Sequence, residues 1–96
     1  PDTVRMECLE APAGGEPDID IYAAVESTGA EDSAITALTE TAVLEAAADW
    51  TLGAVKYANL NGVDLTDKYL YLVGSGGGTD ATYTAGKFHI TFYSAI

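Results

Sequence analysis

Apolar and polar residues alternate with a period of two in three stretches of this chain. Residues 86–94 set Phe88, Ile90 and Phe92 on one side and Lys87, His89, Thr91 and Tyr93 on the other. Residues 3–9 set Val4, Met6 and Cys8 against Arg5 and Glu7, and residues 18–25 set Ile19, Ile21, Ala23 and Val25 against Asp18, Asp20 and Tyr22. Successive side chains of a strand point to opposite faces, so each stretch reads as a half-buried strand with its apolar row inward. Residues 68–73 are dense in Tyr, Leu and Val, which favour strands. With residues 86–94 they are expected to form an antiparallel pair at the centre of the domain. The connection, residues 75–85, exceeds a two-residue hairpin turn and contains three consecutive glycines, which predicts a protruding loop.

Between these stretches, the two prolines and two glycines of residues 11–17 exclude both helix and central strand. Residues 26–33 are polar and aperiodic, a surface connection. Residues 34–44 resume a strand pattern supported by β-branched threonines. The alanine-rich segment 44–50 predicts one short helical turn that seats Trp50 against the core. Residues 51–57 read as strand, residues 59–62 as a turn around Asn61-Gly62, and residues 63–66 as a short extension. Seven or so short strands without a strong helical pattern between them predict an all-β fold over residues 1–96. The expected form is a small antiparallel β-sandwich or jelly-roll-like domain, with a partly open barrel as the alternative.

A 96-residue chain buries about 60–65% of its unfolded surface. Sixteen of its apolar residues are alanine, so the bulky core material is limited and a partner surface would add stability. Fifteen acidic side chains against four basic ones give a net charge of −11, which repels phosphate backbones and anionic membrane faces. Neither nucleic acid nor membrane is therefore an expected partner. No apolar run approaches the length of a bilayer span, and no basic segment followed by an apolar stretch opens the chain. The start at Pro1 fits removal of an initiator methionine, or a processed precursor. A single cysteine, Cys8, makes no internal disulfide, which points to synthesis in a reducing compartment. Its inward register and the acidic neighbours Glu7 and Glu10 predict an inert core thiol.

Candidate chemistry is sparse. One histidine, His89, and one cysteine leave too few nitrogen and sulfur ligands for a zinc site. A serine, His89 and Asp67 or Asp80 lack the strand-to-helix elbow that would present a nucleophile. The glycines of residues 74–79 lack the lysine and helix of a phosphate cradle. Asp18-Ile-Asp20 and Asp64-Leu-Thr-Asp67 bring carboxylates together, but not the six to eight oxygens that calcium takes. No catalytic residue, cofactor or metal is expected, and the chain reads as a non-enzyme.

The tyrosines carry more information. Tyr22, Tyr69, Tyr71 and Tyr93 fall on outward registers or near strand ends, and tyrosine buries area at interfaces while its hydroxyl stays hydrogen-bonded. These four are the candidate partner-interface residues. The ending Thr82-Tyr-Thr-Ala-Gly-Lys-Phe-His-Ile-Thr-Phe-Tyr-Ser94, with the Asp-Ile-Asp-Ile-Tyr strand and Ala-Asp-Trp turn before it, resembles small β-rich virion proteins of tailed bacteriophages, of the capsid decoration or cement type. The resemblance covers about the last quarter of the chain. It implies a virion structural protein, made in the host cytoplasm, that binds capsid subunits on the outer shell in many copies, as a homo-oligomer and without catalysis. The competing reading is a carbohydrate- or calcium-dependent binding module built on Tyr69, Tyr71 and the Asp18/Asp20 pair.

Overall fold

The computed structural model describes residues 2–29, 35–74 and 83–94. These form an all-β sandwich of two antiparallel three-stranded sheets. Six strands occur in the order β1 (Thr3–Ala13), β2 (Ile19–Ala24), β3 (Glu40–Leu44), β4 (Val55–Asn59), β5 (Tyr69–Gly74) and β6 (Ala85–Tyr93). The first sheet has the order β4-β1-β6 and the second β3-β2-β5. Only β2 and β3 are neighbours both in sequence and in a sheet; the other four connections cross from one sheet to the other.

The two central strands supply the core through the period of two already visible in their sequences. Val4, Met6 and Cys8 of β1 face Ile19, Ile21 and Ala23 of β2, and all six are buried in one cluster with Val43, Leu44, Trp50 and Leu60. Both central strands are flanked on each side, so their backbone donors and acceptors find ladder partners. Register shifts between Cys8 and Glu10, and again between Glu10 and Ala13, mark bulges in β1. Opposite the second, Gly86 has φ of +141° and lies beside Pro12, a conformation that favours glycine.

Several expectations are corrected. Residues 68–73 and 86–94 do not pair: β5 and β6 are edge strands of different sheets. Alternation specifies which face a residue takes, not which strand lies next to it. Residues 44–50 form no helical turn. Ala46 N–H donates to the Asp20 carboxylate at 2.8 Å; the Trp50 N–H, which a helix would direct to the Ala46 carbonyl, donates instead to the Pro17 carbonyl at 3.0 Å, and Ala47 sits at φ of +59°. The third strand starts at Glu40 rather than at residue 34, and the fourth at Val55 rather than at residue 51. Residues 63–66 contain no strand; Asp64 instead accepts the Thr66 N–H in a side-chain-closed turn at 2.9 Å. Val25 lies just past the end of β2 and is exposed, whereas Asp20, expected outward, is buried by the segment that follows β3. The glycine-rich loop expected at residues 75–85 lies largely outside the described residues.

Trp50 takes the predicted seat in the core. Its indole N–H donates to the Ile19 carbonyl at 2.8 Å, and its ring meets Phe88 of the opposite sheet edge-on, with centroids 5.3 Å apart at 73°.

Candidate interaction surface

The outer face of the first sheet follows from the register. Residues opposite one another in an antiparallel pair share a face. Three rows therefore cross β4, β1 and β6 in turn: Asn59, Thr3 and Tyr93; Tyr57, Arg5 and Thr91; Val55, Glu7 and His89. Glu10 opposite Lys87 closes the face at one end. Tyr57 is 64% exposed and Tyr93 47%, each at the outer edge of its row. Arg5 lies at the middle, donating from Nε to the Tyr57 hydroxyl at 3.3 Å and from Nη1 to Glu7 at 3.2 Å. These two partners raise the Arg5 pKa above its ordinary value.

Charge distinguishes this surface. Arg5 and Lys87 balance Glu7 and Glu10, so the rows carry no net charge in a chain of −11. Half of the chain's basic residues lie on this one face. A neutral surface with exposed phenol rings and a paired guanidinium has the composition of a protein-binding patch, where tyrosine and arginine are enriched and uncompensated acids depleted.

The tyrosines singled out from the sequence divide between the two outer faces. Tyr22 and Tyr71 oppose one another on the second sheet, and Tyr69 lies on the same face opposite Ala24; Tyr93 stands on the far side of the sandwich. Tyr71 is committed internally. Its hydroxyl donates to the Glu26 carbonyl at 2.7 Å and accepts the Gly29 N–H at 3.1 Å, pinning the segment that leaves β2. A Cβ at Gly29 would lie 2.7 Å from the Tyr71 Cζ, so the ring needs a glycine there. Tyr22 is half-buried, and desolvation, reinforced by Glu45, Asp20 and Glu40, pushes its phenol above the usual tyrosine range. Tyr69 is exposed. Sequence reasoning missed Tyr57 and Arg5. The alternation of Val55, Tyr57 and Asn59 with Lys56 and Ala58 was the available signal, obscured by starting that strand at residue 51.

The remaining candidate chemistry is dispersed. His89 is exposed on the open outer face opposite Glu7. The Cys8 thiol is buried, donates to the Glu10 carbonyl at 3.3 Å, and has its pKa raised by desolvation. Asp20 is committed to Ala46, and among the described residues no three His, Cys, Asp or Glu side chains converge as metal ligands. A hollow lined by Gly62, Val63, Asp64, Leu65 and Thr66 is formed by one continuous loop segment. Among the described residues no helix is long and apolar enough to cross a membrane. Comparison with known protein families, with curated proteins and with solved structures found no match.

Proposed function

We propose that this chain is a non-catalytic virion structural protein of a tailed bacteriophage, a decoration or cement protein that binds the outer surface of the capsid. The observation that carries the reading is the charge-balanced outer face of the first sheet, with Tyr57 and Tyr93 exposed around Arg5. A protein of net charge −11 docks with least desolvation of unpaired charge through its neutral face, and leaves its carboxylates toward solvent. The sandwich presents that face on a rigid sheet, which limits the ordering cost of docking. The resemblance of the final strand to small virion proteins supports the same reading.

The test is co-sedimentation with capsids lacking the chain, together with immunogold labelling of purified virions. Wild-type protein is expected to saturate the particles. Replacing Tyr57 and Tyr93 together by Ala is expected to weaken binding at least tenfold, since truncating two interface tyrosines at about 1 kcal/mol or more each costs about 2 kcal/mol together. Absence of the chain from purified particles would remove the proposal.

A further inference from the structure

The sandwich is closed along one flank and open along the other. On the closed flank β3 lies against β4. Lys56 of β4, in register with the inward Met6, donates to the Ala46 carbonyl beyond β3 at 2.9 Å and places its ammonium 5.4 Å from the Trp50 ring centroid. With β3 and β4 together on that side, the strand orders put β5 and β6 together on the other. There, among the described residues, the inward rows are incompletely covered. Leu70 and Leu72 oppose Ala23 and Ile21 and so point toward the sandwich interior, yet they are 47% and 54% exposed. Phe88, Ile90 and Phe92 of β6 are only partly buried.

β6 is also a nine-residue edge strand. Natural edges are blunted by proline, charge, bulges or shortness; in β6 the bulged pairing and Lys87 are confined to its start, and residues 88–93 are regularly paired, with no proline, lysine or carboxylate. Its residues 88–92, Phe-His-Ile-Thr-Phe, place identical aromatic rings symmetrically about Ile90. An antiparallel strand of the same sequence would therefore complement it.

We propose that a second copy of this chain occupies the open flank, with β6 pairing antiparallel to the partner's β6 about a two-fold axis at Ile90. In that register Ile90 meets the partner's Ile90, Phe88 the partner's Phe92, His89 the partner's Thr91, and Lys87 the partner's Tyr93. No like charges oppose one another, and each copy's inward apolar row extends its partner's. Centring on His89 instead would set histidine against histidine. The two first sheets merge into one of six strands, and the exposed leucines of β5 lie at the same junction. The arrangement is isologous and closes at two copies. It leaves the charge-balanced outer faces available and is independent of what they bind.

Sedimentation equilibrium of the full chain is expected to give twice the 10.0 kDa protomer mass. The dimer should tighten as salt screens the −11 charges. Under mild oxidation Ile90→Cys should close a symmetric disulfide. Because that substitution touches the core, the outer-face double variant His89→Cys with Thr91→Cys provides a second cross-link, while wild-type protein with its buried Cys8 serves as the blank. A monomer at every concentration would overturn the proposal. So would a dimer that neither variant cross-links, or one cross-linked equally well by Val55→Cys on the far edge.

Discussion

Replacing Trp50 by Phe tests whether one side chain locks the two sheets together. The substitution retains an aromatic ring facing Phe88 but removes the indole N–H that satisfies the Ile19 carbonyl. β2 pairs with β3 only as far as Ile21, so the indole continues the satisfaction of the β2 backbone two residues past the end of that ladder. Loss of a buried hydrogen bond that leaves its acceptor unpaired costs about 1–3 kcal/mol. The smaller ring and weakened cation–π contact with Lys56 add a fraction more. A total of about 2 kcal/mol follows, against an expected stability of about 5–14 kcal/mol for a domain of this length. That shift corresponds to a fall in Tm of about 8–16 °C. Far-UV circular dichroism during thermal and urea unfolding would measure it. Trp50→Ala, which also opens a cavity between the sheets, should cost about 3–5 kcal/mol. A Trp50→Phe protein within 0.3 kcal/mol of wild type, taken as roughly the error of additive comparisons, would refute the claim that the indole bridges the sheets.

Five further outcomes follow from other contacts. Tyr71→Phe removes the bond to the Glu26 carbonyl and should lower stability by about 0.5–1.5 kcal/mol in urea titration. Gly29→Ala, which forces that ring to move, should cost at least as much by the same assay. The Glu26 carboxylate is held below its ordinary pKa chiefly by the Thr39 N–H, then by the Thr39 hydroxyl. A depressed folded-state pKa means that this contribution is present above the ordinary glutamate value and is lost as pH falls through the folded one. Glu26→Gln should therefore flatten the acid limb of a stability–pH profile, and an unchanged limb would contradict the assignment. Desolvation raises the phenol pKa values of Tyr22 and Tyr83, so the unfolded chain ionises first and stability should fall as pH rises past 10; Tyr22→Phe should reduce that loss in alkaline melting curves. Cys8, buried with a raised pKa, should react with a thiol reagent only at the rate of unfolding.

The inward rows of β1 and β2, the core position of Cys8, the seat of Trp50 and the outward register of His89 were all legible in the sequence. Each depends on local alternation or on the size of one apolar side chain. Pairing was not legible, because the period of two is silent about neighbours. β5 and β6 are adjacent in sequence, aromatic and joined by a glycine-rich segment, yet each joins a different sheet, β6 along the edge of β1 and β5 along the edge of β2. The helical turn expected at 44–50 failed for a tertiary reason: Pro17 captures the Trp50 N–H and Lys56 the Ala46 carbonyl, the two groups a helical turn would have paired. The tyrosines could be placed on outward registers, but their roles depend on distant partners. Tyr71 is tied to residues more than forty positions away, while Tyr57 gains its place beside Arg5 from a pairing between residues 52 apart.

The crossing connections bear on how the chain is made. β1 supplies Val4, Met6 and Cys8 to the core yet must wait for residues 85–93 before its β6 edge is paired, so that edge stays open while the seventy or so residues between them are synthesised. Long-range closure of this kind slows collapse to the native state and prolongs exposure to aggregation. The abundance of like charge along the nascent chain keeps such half-built molecules apart, giving the −11 balance a task during biogenesis as well as in the finished protein.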